Sequence, residues 1–268
     1  MFTIIIFSNC SNKNFVQISD ENNLNNLKKE IPTEAAKYKL VWADEFNNLS
    51  IPDSTKWNYD IGTGTWGWGN DEKEYYTNRT QNVRIDKGIL KITALKESYN
   101  GSAYTSTRML TRDIFNFTYG KIEVSAKLPE GIGTWPAIWM LGSNIKTAGW
   151  PQCGEIDIME HKGSELNKIY STLHYPNHFG EKGDGSTSMI KDVTKTFHTY
   201  TAEWTANDIK FYVDNVITKT FINSLTTPFN QDFHIILNLA MGGNFAGALD
   251  PLITNATMEV DYVRVYQK

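Results

Sequence analysis

From Tyr38 to Lys268 the chain sets apolar and polar residues in short runs of period two, separated by clusters of Gly, Asn, Asp and Pro. YKLVWADEF, GILKITALK, YGKIEVSAKL, GEIDIMEH, KIYSTLHY, FHTYTAEWT, FHIILNLAM and TMEVDYVRVYQK each read as a strand. DIKFYVDNVITKTF reads as a hairpin turning at Asp214 and Asn215, residue types that tolerate left-handed backbone. No segment sustains three turns of amphipathic helix. So many short strands, with no internal repeat and no second linker, predict a single all-β domain over residues 38–268. Its expected architecture is an antiparallel two-sheet sandwich whose concave face stays open as a cleft.

Residues 1–37 break the pattern. MFTIIIFSNC is an apolar run ending at Cys10, too short to span a bilayer. The stretch after it is rich in Asn, Lys, Asp and Glu, with Pro32 near its end, and reads as a linker. The Phe-Ser-Asn-Cys ending is similar to a bacterial lipoprotein cleavage box. It predicts an exported protein, either secreted or held at the outer surface through Cys10. Cys10 and Cys153 lie far apart in unlike contexts, which predicts neither a disulfide nor a metal site; Cys153 reads as a buried, inert thiol.

Composition narrows the function. Of 268 residues 40% are hydrophobic and 13% aromatic, ample for a packed core. The net charge of −4 offers no basic surplus for a phosphate backbone, so nucleic acid is not an expected partner.

Chemistry concentrates in GEIDIMEH. Glu155 and Asp157 share one face of a strand, and Ile156 and Ile158 share the other. Glu160 is five residues from Glu155 and would face away in a regular strand, but a β-bulge near Ile158 and Met159 brings it back. Three acids on one face then raise one another's pKa, which keeps one protonated near neutrality. Glycosidic cleavage uses such a pair, one carboxylate attacking the anomeric carbon while the other protonates the leaving oxygen. The spacing assigns Glu155 as nucleophile, Glu160 as acid/base and Asp157 as the neighbour that orients Glu155. The competing readings are a solvated strand face and a calcium site, and the absence of an Asp/Asn/Gly loop counts against the second.

The pattern Glu155-Ile-Asp-Ile-Met-Glu160 resembles the active-site strand of glycoside hydrolase family 16, in the bulged form of its laminarinases, agarases and carrageenases. The resemblance extends through WADEFN, WGNDEKEYYT, GILKITA, YTSTRM, YGKIEVSAKLPEGIGTWPAIWML, STLHY, LNLAMGGNFAG and MEVDYVRVYQ. It is greatest to bacterial endo-β-1,3-glucanases, and it implies a β-jelly roll with an open cleft and a retaining mechanism. It also implies the same roles for Glu155, Asp157 and Glu160. Trp135 and Trp139 match cleft tryptophans, and Asn70 and Arg108 match positions that hydrogen-bond sugar hydroxyls. Trp150 and Gln152, leading into the catalytic strand, are expected to line the groove, and His174, one strand on, is either a sugar contact or a structural histidine. The resemblance further implies a structural calcium on the convex side at Glu45, Gly88 and Asp261, held by a carboxylate near each chain end and by backbone carbonyls.

The expected function is hydrolysis of internal β-1,3 bonds of laminarin-type glucan, including mixed-linkage β-1,3-1,4-glucan, by a monomer. A galactanase of the agarase or carrageenase type and a non-catalytic glucan-binding module are the alternatives. The chain departs from the laminarinase pattern at Lys73, Glu74 and Phe245, where an apolar residue, Gln and Trp are common.

Overall fold

The computed structural model describes residues 38–47 and 50–268; the expected export signal, Cys10 and the linker lie outside them. The described residues form two sheets. The first runs Asp184–Met189, Lys168–His174, Glu155–His161, Thr134–Gly142, Phe233–Met241, Arg108–Leu110 and Asn58–Asp60, each strand antiparallel to the next. The second, of ten strands, is ordered Val216–Ile222, Asp208–Val213, His198–Trp204, Gly120–Lys127, Asn255–Gln267, Ile89–Tyr99, Ser102–Ser106 and Glu74–Tyr76. Lys39–Asp44 joins it beside Asn255–Gln267, and Val83–Asp86 beside Ile89–Tyr99. Together they make the antiparallel two-sheet sandwich the alternation predicts, the β-jelly roll that the resemblance implies, with one exception: Glu74–Tyr76 pairs parallel to Ser102–Ser106.

One main hydrophobic core lies between the sheets. Ile138, Met140, Ile156 and Leu237 come from the first, and Val124, Tyr200, Phe211, Val263 and Val265 from the second. Every residue of Phe233–Met241 is buried, because this central strand has the core on one face and the floor of a cleft on the other. Side chains on the cleft face are therefore held by neighbours on both sides, which makes the floor rigid enough to carry chemistry.

Two local expectations can be compared directly. Val213 pairs with Val216 across Asp214 and Asn215, whose φ angles of 50° and 64° give the two-residue turn that matches strand twist. The polar stretch 177–188 has the composition expected of a loop, yet it contains the edge strand Asp184–Met189; its Asp-Gly-Ser-Thr-Ser sequence hides strand character that pairing with Lys168–His174 supplies.

Candidate active site

The bulge sits where the acids need it. Asp157 pairs with Trp139 but Met159 pairs with Ile138, so Ile158 is the extra residue against that neighbour. On the other side Asp157 faces Thr172 and Glu160 faces Tyr170. Two consecutive side chains, Ile158 and Met159, therefore enter the core, while Glu155, Asp157 and Glu160 all line the cleft. Ser171 donates its hydroxyl to the Ile158 carbonyl at 2.9 Å, giving a partner to a backbone group at the bulge.

The cleft has a volume of about 790 Å³. Each glutamate accepts one indole N–H: Trp150 donates to Glu155 Oε2 at 2.9 Å, and Trp135 to Glu160 Oε1 at 3.0 Å. His174 Nε2 lies 3.2 Å from Asp157 Oδ2 and 3.9 Å from Glu155 Oε1. Burial, then the Asp157 charge, pushes Glu155 up to about 8. Burial also pushes Asp157 up to about 8, against a hydrogen bond with Glu155 that lowers it. Glu160 rises well above the carboxylate range through burial, then Asp157, then Glu155. Three carboxyls this close cannot all be ionised at neutral pH, which suits a site that needs one ionised and one protonated acid.

The rest of the floor is a row of polar contacts. Trp139 Nε1 donates to Asn238 Oδ1 at 2.8 Å, Asn238 Nδ2 to the Tyr76 hydroxyl at 3.0 Å, and that hydroxyl to Glu72 Oε2 at 2.8 Å. Asn70 Nδ2 reaches Glu72 Oε1 at 3.3 Å. The Arg108 guanidinium lies over the rings of Trp68 and Trp139, at 4.6 and 4.8 Å, and Asp60 pairs with both Arg108 (3.2 Å) and Arg112 (2.7 Å). The loop bearing Asn70 can close on the strand end because Gly243, at φ +83°, has no side chain; a Cβ there would sit 2.8 Å from the Asn70 carbonyl.

The structure sorts the expected residues. Asn70, Arg108, Trp135, Trp139 and Trp150 line the cleft with the three acids, and His174 joins them through Asp157. Trp135 is only 9% exposed and packs on Phe245, with ring centroids 4.9 Å apart, so its main contact with the site is its N–H. Trp150 keeps 45% exposure, with Phe179 edge-on at 5.4 Å, and is the open indole of this cleft. Gln152 is a correction: it is exposed and outside the residues lining the cleft, because the turn before the strand carries it outward while Trp150 turns in. Cys153 is buried, and burial with the Glu155 charge pushes its thiol up to about 12.

Of the residues expected to hold calcium, Glu45 has both carboxylate oxygens bonded to Arg264, at 2.8 Å each. Asp261 sits at a bulge between Val260 and Tyr262, and Gly88 has φ +79°. Among the described residues, the only group of three His, Cys, Asp or Glu side chains within ligating reach of one another is Glu155, Asp157 and His174, in the cleft.

Glu72, Asn238, Tyr76, Trp68, Asp60 and Arg112 were not singled out from sequence. Glu72 stands in the WGNDEKEYYT stretch and Asn238 in LNLAMGG, but neither has a periodic signature of its own; each becomes part of the site through a partner from a distant segment.

A largely buried carboxyl triplet on a bulged strand, aromatic-lined and set in an open β-sandwich cleft, defines a glycoside hydrolase site. Residues 66–264 match the glycosyl hydrolases family 16, and the chain belongs to that family. It is 42% identical over 250 residues to a beta-glucanase of Rhodothermus marinus, covering 87% of both chains. The fold superposes on the laminarinase from the same organism with a TM-score of 0.82 at 41% identity, covering 86% of this chain and 98% of that one. On the laminarinase of Flavobacterium sp. UMI-01 the TM-score is 0.80 at 43% identity, with 85% and 100% covered.

Proposed function

We propose that the protein is a retaining endo-hydrolase of β-1,3-glucan. The observation that carries this reading is the cleft face of Glu155–His161, where the two glutamates flank Asp157 and each accepts one indole N–H. Ionised Glu155 attacks the anomeric carbon. The glycosidic bond breaks as Glu160 gives its proton to the leaving oxygen, and a glycosyl ester on Glu155 results. Glu160, now a carboxylate, takes a proton from water, whose oxygen attacks the same carbon and frees Glu155. Asp157, with His174 at its other side, holds Glu155 in place and shares the proton load.

Trp150 offers an indole face to a glucose ring, and Asn70 and Arg108 offer donors to its hydroxyls. An open cleft admits the middle of a chain, which supports internal rather than terminal cleavage. A sulfated galactan would need unpaired cations, whereas Arg108 and Arg112 both pair with Asp60. The similar laminarinases weigh in the same direction. Action outside the cell, as a monomer, completes the reading, since a polymer substrate does not cross a membrane. In place of the expected carboxylate pair, a calcium would rest on Asp261 and backbone carbonyls, as Glu45 is held by Arg264.

The test is reducing-end release from laminarin, barley mixed-linkage glucan, agarose and carrageenan, with Glu155→Gln as the control. Release from laminarin that Glu155→Gln abolishes supports the reading. Release only from a galactan overturns the substrate, and laminarin binding without cleavage overturns the enzyme.

A further inference from the structure

At one end of the cleft two carboxyls, one lining it and one beneath, have no cation beside them among the described residues. Glu74 is fully buried and Glu72 is 8% exposed, and no ion pair involves either among the described residues. The lysine between them is turned away: Lys73 pairs with Asp71 at 2.7 Å. Two residues apart on an extended chain, Glu72 and Glu74 lie on the same side. The Met241 N–H holds Glu74 Oε2 at 2.6 Å, while Glu74 Oε1 is buried with no donor. Two adjacent buried carboxylates with no counter-charge are costly, and a single proton between them removes most of that cost.

We propose that Glu74 is a positioning residue: it carries a proton beneath the cleft floor and donates it from Oε1 to Glu72, fixing Glu72 as the acceptor for Asn70 and Tyr76. The rest of the row follows from that polarity. Glu72 accepts from the Tyr76 hydroxyl, so the hydroxyl's lone pairs face Asn238 Nδ2. The Asn238 amide is thereby turned so that Oδ1 takes the Trp139 N–H at 2.8 Å, and Trp139 is the ring beneath Arg108. A proton on Glu74 thus sets the direction of Asn70, Tyr76, Asn238 and Trp139, none of which its own carboxyl bonds. Burial, then the Glu72 charge, drives Glu74 far above the ordinary carboxylate range, in keeping with this geometry.

This inference rests on the β-1,3-glucanase reading only for its kinetic test; the proton has its own. In the infrared difference spectrum of wild type minus Glu74→Gln at pH 7, the C=O band of a protonated carboxylic acid is expected. No such band overturns the proposal, whatever the substrate proves to be. On laminarin at pH 6, Glu74→Gln should keep kcat/KM within about twofold. Glu74→Leu, which removes both bonds, should raise KM roughly tenfold with a smaller change in kcat. If Glu74→Gln falls as far as Glu74→Leu, a charge rather than a donor is needed and the proposal fails. If Glu74→Leu does not melt as a folded protein, the infrared band and the Glu74→Gln kinetics decide alone. Failure of the wild type to cut laminarin would count against the glucanase reading and leave the infrared result standing.

Discussion

Trp150 gives its indole N–H to Glu155 at 2.9 Å, and in doing so stabilises the ionised form of the residue that must attack. A hydrogen bond to the charged form lowers a pKa, so Trp150 works against the burial that pushes Glu155 up to about 8. Trp150→Phe should raise it further. The acid limb of kcat/KM is then expected to move up by about one pH unit, with activity at pH 6 falling accordingly. Trp135→Phe acts on Glu160 in the same direction, but Glu160 must stay protonated, so there the alkaline limb moves up instead. Paired pH–rate profiles of the two variants would show both shifts; movement of the same limb in both would reverse the assigned roles.

The buried acids oppose folding as the pH rises. Asp157 is raised from 3.8 to about 8, so the fold holds its proton more tightly than the unfolded chain does. The stability this contributes is fully present below about pH 4 and is lost as the pH climbs through 8. Asp157→Asn, which cannot ionise, should match wild type near pH 4 and be more stable by a few kcal/mol at pH 9, while losing activity. Denaturant midpoints at the two pH values measure it.

Two histidines act in the opposite sense. His161 and His234 are fully buried, and burial holds both down at about 4. The unfolded chain binds their protons below about 6.5 and the fold refuses them until about 4, so stability falls across that window on acidification. Replacing His161 with Gln should flatten this acid slope by about one proton in a plot of unfolding free energy against pH.

Arg108 is held by planarity as well as charge. Its guanidinium lies against Trp68 and Trp139 and pairs with Asp60. Arg108→Lys keeps the charge but loses the flat stack and the fork, and is expected to raise KM for laminarin roughly tenfold with kcat little changed. Initial-rate kinetics over a substrate series would decide it.

A calcium at the Asp261 bulge would be seen in thermal melts. Chelation by EDTA should lower Tm by several degrees, calcium should restore it, and Asp261→Ala should abolish the response.

Legibility in the sequence followed the range of the interaction. Period-two patterning, the Asp214-Asn215 turn and the five-residue offset from Glu155 to Glu160 are local, and each predicted its feature because side-chain direction on a strand is fixed by the backbone alone. Partners across the fold were not legible. Arg264 takes Glu45 from 219 positions away, and Asn238 meets Tyr76 from 162, although nothing near either residue announces the other. Gln152 and Trp150 sit two residues apart, yet only the turn preceding the strand sends one outward and the other onto Glu155.

The sequence by itself thus determined an all-β chain with three acids on one strand face, because hydrophobic alternation and one inserted residue leave no other way to bury Ile156, Ile158 and Met159. The tertiary structure alone decided which indole each glutamate meets and how high burial lifts its pKa. It also decided that Glu72 and Glu74 share a space with no cation from the described residues. Desolvation and hydrogen bonding depend on what packs against a group from elsewhere in the chain, and that is settled only when the two sheets close.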